Sequence, residues 1–362
     1  MPSILSTAIS INAAASEETT TTSNDNDNNF ALAAYLPDYR VHAFVEQQLQ
    51  SNDPPPPLVT DLILFSLQPH SKGFLGGCCL QPDHYEAIAK YRAEIHPSVK
   101  LWVTIGGAGR GDAFPEIFKD EKIRTRLIKS AMNLCEKHSI QGIDLDYTPR
   151  TTEQRNDYVI FLQEALNAWQ AAGIKVSTTT IFHPTTRLLP QLYQRLDRIH
   201  LMAYDMIARG DGVDMQDKYH ASLEKVQQTL AALLQPGGGL EDTPQKVVLG
   251  IPAYARHLTD PRKVATFAEI YDGVLAEKGA SEVNWETLHS WQDFEWESGE
   301  RIRAKVELAR KLHLGGIFFW EIGQDKVNSD HPRGMLIETA AAAIRNETKI
   351  LDGDGPSASD EL

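Results

Sequence analysis

Eight short runs of apolar and β-branched residues recur along this chain, and they limit its possible folds more than any other feature. The runs lie at Phe30–Leu36, Leu58–Leu67, Lys100–Ile105, Ile140–Asp146, Lys175–Ile181, Arg198–Tyr204, Val247–Pro252 and Gly316–Trp320. Most are nearly continuous in apolar residues, which is typical of parallel strands that are covered on both faces. Amphipathic segments separate them, among them Asp120–Lys137 and Glu153–Ala171. The alternation predicts an α/β fold of the (β/α)8 TIM-barrel type.

An open, doubly wound sheet is the alternative arrangement for alternating strands and helices. Such sheets often carry a glycine-rich phosphate-binding loop after the first strand, and no such loop follows Leu36. We expect two helices, and a loop rich in Trp, Glu and Asp, within the long segment between the seventh and eighth runs. We therefore expect a single catalytic-type domain, a TIM barrel without a clear extra α+β insertion domain.

The two ends of the chain differ in composition from the barrel, which we predict at residues 30–349. Residues 16–29 contain no apolar side chain and residues 350–362 form an acidic tail, so we expect residues 1–29 and 350–362 to be disordered. Residues 4–15 are mildly apolar, but no Lys or Arg precedes them, which makes a weak secretory signal. The last four residues, Ser-Asp-Glu-Leu, resemble an endoplasmic-reticulum retrieval tail. The location stays open, with secretion or the reticulum lumen slightly favoured.

The charge and the cysteine content argue against several classes of function. The formal net charge of -14 offers no basic face for nucleic acid or anionic lipid. The three cysteines are an odd number, two of them adjacent (Cys78 and Cys79), and they form neither a disulfide framework nor a metal-binding spacing. No apolar run reaches the ~18 residues needed to cross a membrane. We expect a monomer without a metal, a cofactor, or a nucleic-acid or membrane partner.

Two aspartates lie at the end of the fourth run, within the sequence Ile-Asp-Leu-Asp-Tyr-Thr. Side chains alternate along a strand, so Asp144, Asp146 and Thr148 are expected to face the same way. Two carboxylates on one inward face are unfavourable unless they share a proton, bind a cation or take part in catalysis. The carboxyl ends of the strands carry the functional residues in a TIM barrel. The pair therefore marks a candidate catalytic row, whose outermost member is a threonine.

Aromatic and polar side chains follow the other predicted strands. The candidates for substrate binding are Tyr35, Tyr204, Asp205, Arg256 and Trp320. Flat aromatic faces combined with hydrogen-bonding acids suit the C–H faces and hydroxyl edges of a sugar ring. Each aromatic residue alone would more often belong to the barrel core, but together with the paired aspartates they favour an oligosaccharide or polysaccharide ligand. Arg256 has two interpretations, binding the substrate or neutralising Asp205.

Four motifs resemble those of one known family. Thr104–Gly107 (Thr-Ile-Gly-Gly) resembles a Ser-x-Gly-Gly motif on strand three, and Met202–Asp205 matches a Met-x-Tyr-Asp motif on strand six. Trp320 lies where the family has a tryptophan at the floor of its site, and strand four resembles the signature Asp-Gly-x-Asp-x-Asp-x-Glu. Over residues 30–345 the chain resembles glycoside hydrolase family 18, the chitinase-like barrels.

The resemblance implies a role for each matching residue. Family 18 enzymes use substrate assistance, in which the N-acetyl oxygen of the sugar attacks the anomeric carbon. By position, Asp146 would support the amide nitrogen of that group and Tyr204 would bind its oxygen. Asp205 would hydrogen-bond the sugar, and Trp320 would stack beneath it. Asp144 is the other inner aspartate that this sequence keeps.

The sequence departs from the family signature at three positions. Gln141 replaces the first aspartate, Tyr147 replaces a tryptophan, and Thr148 replaces the glutamate that protonates the leaving oxygen. A threonine hydroxyl is far too weak an acid to donate a proton near neutral pH, and general acid catalysis contributes about 10²–10⁴-fold. We therefore predict a chitinase-like protein that binds N-acetylated glycans, such as chito-oligosaccharides, and is not an ordinary chitinase.

Two alternatives stay open. In the first, the chain is an active family 18 hydrolase with an altered acid or substrate, for example with a protonated Asp146 as the acid. In the second, the barrel serves as an interaction scaffold. Two further residues near strand ends are weaker candidates. His183 could bind the sugar or supply an acid, and Glu321 should point away from the barrel interior by strand alternation.

Overall fold

The computed structural model describes residues 30–50, 57–76, 78–180, 188–207 and 219–346. The predictions for residues 1–29 and 350–362, and the candidate His183, lie outside the described residues. None of the helices in the described ranges is both long enough and apolar enough to cross a membrane.

Eight parallel strands close into a barrel, which confirms the predicted TIM-barrel fold. The strands of the described chain are β1 (Ala31–Pro37), β2 (Asp61–Leu67), β3 (Lys100–Gly106), β4 (Gly142–Asp146), β5 (Lys175–Thr180), β6 (Arg198–Leu201), β7 (Val247–Pro252), β8 (Tyr254–His257), β9 (Val264–Thr266), β10 (Ser290–Trp291), β11 (Phe294–Glu295) and β12 (Gly316–Trp320). Strands β1 to β7 follow one another around the barrel, and β12 closes it by pairing with β1. The sixth strand is shorter than predicted, because it ends at Leu201.

Helices follow most of the barrel strands and cover them on the outside. They are α1 (Val41–Leu49), α2 (Pro82–Glu94), α3 (Phe114–Lys119), α4 (Glu121–His138), α5 (Thr152–Ala171), α6 (Pro190–Arg195), α7 (Leu223–Leu234), α8 (Phe267–Lys278), α9 (Gly299–Lys311) and α10 (Met335–Ile344). The predicted amphipathic segments 120–137 and 153–171 correspond to α4 and α5.

Helix α4 shows how the local sequence determines these elements. Its N-cap residue, Asp120, accepts a hydrogen bond from the backbone N–H of Ile123 at 3.1 Å. Buried residues then recur at helical spacing, including Leu127 and Ala131, so one face of the helix packs on the barrel. The helix ends at His138, and the next residue, Ser139, adopts the left-handed conformation common at helix C-termini.

Large side chains fill the amino-terminal end of the barrel. Trp102 donates from its indole Nε1 to Asp61 at 2.9 Å, and Arg198 lies 3.0 Å from the same carboxylate. Burial alone would raise the pKa of Asp61, but Arg198 outweighs burial and holds this pKa below its usual value. A Cβ at Gly142 would lie 2.1 Å from the Trp102 ring, so only glycine fits where this ring crosses β4. The barrel is therefore plugged at this end, and a ligand can enter only at the other.

The segment between β7 and β12 corrects one prediction. Its two helices, α8 and α9, are present as expected, but the loop that was predicted around them forms four short strands. These strands make an antiparallel sheet in the order β10-β11-β8-β9, so the segment is a small α+β unit. Strands of two to four residues are too short for side-chain alternation to appear in the sequence. Trp285 and Trp296 are buried within this unit and serve its packing.

Candidate functional site

Asp144 lies at the centre of the candidate site and is completely buried. Its carboxylate accepts hydrogen bonds from four hydroxyl groups, those of Tyr35 (3.0 Å), Thr104 (3.0 Å), Ser177 (2.7 Å) and Thr179 (2.8 Å). His200 Nδ1 lies 3.4 Å from the carboxylate as well. Burial raises the pKa of Asp144, but these partners outweigh burial and bring the pKa below its usual value. The surroundings of Asp144 in the barrel core therefore favour its ionised form.

Asp146 ends β4 and projects from the same strand face as Asp144. Burial and the negative charge of Asp144 together raise the pKa of Asp146 to about 7. The two carboxyl groups thus have opposite pKa shifts, because His200 and the hydroxyl donors favour the ionised form of Asp144, whereas burial and the charge of Asp144 disfavour the ionised form of Asp146. Near neutral pH, Asp146 exchanges readily between its protonated and ionised forms.

Gly107 explains why a pair of glycines ends the third strand. It has a φ of 90°, and its N–H donates to the backbone oxygen of Asp146 at 2.8 Å. A Cβ at this position would lie 2.4 Å from the Phe65 ring and 3.0 Å from Asp146 Oδ2. Only glycine therefore lets the loop after β3 close over the outer carboxyl.

The raised pKa of Asp146 predicts a pH dependence of stability. Since the folded-state pKa lies above the unfolded value, the folded chain binds more protons between pH 4 and 7, and stability should fall as pH rises through this window. We expect the difference in free energy of unfolding between wild type and Asp146→Asn to drop by roughly 1–3 kcal/mol from pH 4 to pH 8. Urea denaturation at several pH values measures it, and the difference cancels the titration of groups that do not interact with Asp146. A difference that is constant with pH would show that Asp146 ionises normally.

Thr148 lies just beyond the end of β4, beside a cavity of about 450 Å³. Asp146 and Thr148 line this cavity together, as the alternating row predicted, while Asp144 lies beneath them in the core. We call it the Thr148 cavity. Asp112 and Arg150 also line it, and both are exposed. Among the described residues that line the cavity there is no glutamate.

A cluster of aromatic side chains lies next to the aspartate pair, at the strand ends where the sequence predicted aromatic residues. The Trp320 ring is 4.6 Å from Phe65 and 5.5 Å from Tyr35, measured between ring centroids, and it is partly exposed. Tyr204 belongs to the same cluster and keeps 8% of its surface exposed. Tyr35, in contrast, is 1% exposed and directs its hydroxyl to Asp144. Of the three predicted aromatic residues, Trp320 is partly exposed, Tyr204 is nearly buried, and Tyr35 supports Asp144.

A second acid, Asp205, is held by a separate group of partners. Its Oδ1 accepts from Tyr254 Oη at 2.6 Å and from Arg256 Nη2 at 2.6 Å, and its N–H donates to His220 at 3.0 Å. Burial raises the pKa of Asp205, but His220, Tyr254 and Arg256 outweigh burial and lower the pKa to about 2. The pairing agrees with the interpretation that Arg256 neutralises Asp205, and substrate binding by Arg256 stays a prediction. The left-handed backbone of Asp205, with a φ of 57°, aims the carboxylate at these partners.

Sequence reasoning missed most of the residues that hold the acids in place. His200, Ser177 and Thr179 support Asp144, and His220 supports Asp205. Ser177 and Thr179 alternate along β5, which is a usable signal for two inward-facing hydroxyls once the strand has been assigned. His200 and His220 carry no comparable pattern, because each is a single histidine next to apolar residues.

Glu321 is not available to the Thr148 cavity. Its side chain is fully buried, lies 3.2 Å from Arg40 Nε and accepts the N–H of Gly323 at 2.8 Å. Burial raises the pKa of Glu321, and Arg40 opposes that shift. Glu321 is absent from the described lining of the cavity. It is therefore paired elsewhere, in keeping with the expectation that it points away from the barrel interior.

Comparison with known proteins connects this barrel to one family. Residues 17–325 match the family model described as glycosyl hydrolases family 18. A class V chitinase from Lotus japonicus is 26% identical over 275 residues, which is 64% of this chain and 68% of that protein. The probable chitinase 10 of Drosophila melanogaster is 22% identical over 314 residues, which is 71% of this chain and 14% of that protein. The chain thus spans only a small part of the Drosophila protein.

Solved structures share the fold. A GH18 chitinase from Cycas revoluta in complex with (GlcNAc)3 has a TM-score of 0.67 at 22% identity, covering 86% of this chain and 99% of that chain. The GH18 chitinase ChiB of Flavobacterium johnsoniae has a TM-score of 0.69 at 16% identity, covering 88% of this chain and 94% of that chain. At these identities the likeness establishes the barrel fold and leaves the ligand to be argued from the site.

Proposed function

The chain belongs to glycosyl hydrolases family 18, and on that premise we propose that it binds N-acetylated glycans, such as chito-oligosaccharides, without acting as an ordinary chitinase. One observation carries the proposal. The cavity beside the intact aspartate pair is lined by the hydroxyl-bearing Thr148 at the position of the family's acid. The residues that the family resemblance assigns to sugar recognition are present, and the side chain at the position that it assigns to the proton donor has no acidic proton.

Binding of the sugar is proposed to involve the aromatic cluster around Trp320 and the carboxylates of Asp146 and Asp205. Trp320 offers a partly exposed ring face, which suits the C–H face of a pyranose. Asp146 can accept a hydrogen bond from the amide nitrogen of an N-acetyl group, and Tyr204 lies in the same aromatic cluster as Trp320, where its hydroxyl would bind the acetyl oxygen. Asp205 stays ionised at any physiological pH and would accept from a sugar hydroxyl. Two solved relatives from Cycas revoluta and Ostrinia furnacalis were crystallised with (GlcNAc)3 and allosamidin, respectively.

The catalytic half rests on the acidity of the group at position 148. Departure of a glycosidic oxygen requires a proton donor whose pKa lies near the working pH, and such a donor contributes about 10²–10⁴-fold. The Thr148 hydroxyl holds its proton far too tightly. The other charged residues that line the Thr148 cavity, Asp112 and Arg150, are both exposed.

An altered hydrolase is the second candidate, and one observation favours it. The pKa of Asp146 is raised to about 7, so a large share of the chains carry a protonated carboxyl there at neutral pH. In this alternative, Asp146 donates the proton itself. The same carboxyl would then have to serve the acetamido group and the leaving oxygen, which lie on opposite sides of the anomeric carbon. Release of reducing ends from a glycan panel, abolished by Asp146→Ala, distinguishes this candidate from pure binding.

Replacing the Trp320 ring tests whether the proposed site binds the glycan. Isothermal titration with an N-acetylglucosamine tetramer should give saturable heat for wild type, and Trp320→Ala should weaken binding by about 2 kcal/mol, roughly 30-fold in Kd. Trp320→Phe, which keeps a ring face, should lose less. Trp291→Ala is the matched control, because that ring packs on α8 and donates to Glu277 at 3.0 Å. Absence of heat for folded wild type at millimolar tetramer, or equal affinity of Trp320→Ala, would rule out the proposed site.

A further inference from the structure

We propose that His42, Asp83 and His84 form a binding site for a divalent transition-metal ion of the Zn²⁺ class. His42 lies in the first turn of α1, and Asp83 and His84 lie in the first turn of α2. One donor atom from each of the three side chains lies within 4.8 Å of the other two. Both helices follow barrel strands, so the site lies on the outer rim at the end of the barrel where the strands end. It shares no residue with the proposed glycan site.

The geometry requires little rearrangement for an ion to bind. His42 Nε2 is 2.9 Å from Asp83 Oδ2, and the His42 and His84 ring centroids are 4.9 Å apart. Zinc bonds of about 2.0–2.2 Å place tetrahedral ligand atoms roughly 3.3 Å from one another. The side chains of His42 and Asp83 are 57% and 62% exposed, so small rotations can bring the three donors to that spacing.

The ligand set selects the class of ion. Two imidazole nitrogens and one carboxylate oxygen suit Zn²⁺, Cu²⁺ and Ni²⁺, whereas Mg²⁺ and Ca²⁺ prefer oxygen ligands alone. Three protein ligands leave the fourth position of a tetrahedral ion open to water. Such a site on an exposed rim takes up and releases its ion readily. It therefore differs from a closed structural site with four protein ligands.

Two local features make metal binding less favourable. The amino-terminal ends of α1 and α2 carry partial positive charge, which the carboxylate of Asp83 offsets. His84 Nδ1 also accepts the N–H of Gln81 at 3.1 Å, as part of the N-terminal cap of α2. Coordination of His84 through either nitrogen ends this bond, because a neutral imidazole that is bound to a metal through one nitrogen carries its proton on the other. The Gln81 amide should therefore exchange faster with solvent when the metal is bound.

A bound ion would connect two helices that are distant in the sequence. Helices α1 and α2 pack against each other, and His42 and Asp83 are 41 positions apart. This separation explains why no metal-binding spacing appears in the sequence. An ion that binds the folded chain and not the unfolded chain stabilises the fold by mass action.

Titration of the metal-free, untagged full chain with ZnCl₂ tests the proposal. Isothermal calorimetry should show saturable binding of one ion per chain, a higher thermal midpoint in excess Zn²⁺, and no saturable heat with MgCl₂. His42→Ala and His84→Ala should each remove the saturable heat and the thermal shift. Asp83→Asn, which keeps the shape of the side chain, should weaken both. His289→Ala, at an exposed histidine of the segment between β7 and β12, is the matched control and should bind as wild type does.

Two results would overturn the metal site. One is the absence of saturable Zn²⁺ binding by folded wild type. The other is unchanged binding by the folded His42→Ala/His84→Ala double variant, which would locate the ion elsewhere. Circular dichroism confirms that each variant is folded, and Asp83→Asn provides an independent readout if a histidine variant is not.

Discussion

Replacing Thr148 with glutamate should give the chain hydrolytic activity on chito-oligosaccharides, with a rate about 10²–10⁴-fold above that of the wild type. The reason is chemical: the new carboxyl would line the Thr148 cavity beside Asp146 and supply the proton that the leaving oxygen needs. Burial next to the negatively charged aspartate pair should raise the pKa of the new glutamate, as it does for Asp146, and keep it protonated near neutral pH. Reducing-end release or mass spectrometry of an N-acetylglucosamine tetramer measures the gain.

Two variants make this result specific to the proton. Thr148→Gln has nearly the same size and shape as the glutamate variant but no acidic proton, so it should stay as slow as wild type. Adding Asp146→Ala to Thr148→Glu should remove the gained activity, because the acetamido group loses its support. A Thr148→Glu chain that folds and binds the tetramer but releases nothing would move the defect to other departures from the signature, such as Gln141 or Tyr147.

Replacing Lys305 with methionine should destabilise the protein by about 3–5 kcal/mol, because it leaves a buried negative charge without its partner. Lys305 on α9 is 1% exposed and donates to the fully buried Glu297 and to the backbone oxygen of Ala221, the latter at 2.6 Å. Tyr219 also donates to Glu297, at 2.5 Å. Urea denaturation monitored by tryptophan fluorescence measures the loss.

The matched controls separate the unpaired charge from the lost packing. The double variant Glu297→Gln/Lys305→Met removes both charges and should recover much of the stability that Lys305→Met loses. Lys119→Met breaks an exposed pair with Glu153, at 3.9 Å, and should change stability little. Equal losses for the single and double variants would mean that packing, not the uncompensated charge, dominates at this position.

The barrel could be predicted from the sequence because its signal is long and repeated. Each barrel strand is at least four residues long and most are rich in apolar or β-branched residues, and the strand-four motif carries the aspartate pair that marks the open end. The small sheet formed by β8 to β11 could not be predicted, because strands that short show no period. Asp144 and Asp146 could be located from alternation alone, whereas their opposite pKa shifts depend on hydroxyls that come from β1, β3 and β5.

The supporting residues show the limit of sequence reasoning more sharply. His200 and Lys305 each depend on partners that are far away in the sequence, so no local spacing reveals them. Arg256 could be placed near Asp205 only as one of two interpretations, and the 2.6 Å contact between them agrees with that one. The departures from the family signature could be seen in the sequence itself, because each one is a different amino acid at a single position.

The contrast between Asp144 and Asp146 is the physical centre of this account. The inner carboxyl, surrounded by donors, stays ionised, and its charge raises the pKa of the outer one to about 7. Pairs of acids whose environments separate their pKa values are typical of catalytic sites. Here the pair adjoins a cavity lined by Thr148, and on that basis we propose that the chain recognises a glycan without cleaving it as an ordinary chitinase would.

The most direct test follows binding and cleavage in one sample of wild-type protein. An N-acetylglucosamine tetramer is titrated by calorimetry, and the same mixture is then incubated near pH 7 and examined by mass spectrometry for shorter products. The account predicts saturable binding with no product beyond the buffer control. Shorter oligosaccharides that form with wild type and vanish with Asp146→Ala would contradict it, because the site would then cleave the glycan without an acidic side chain at position 148.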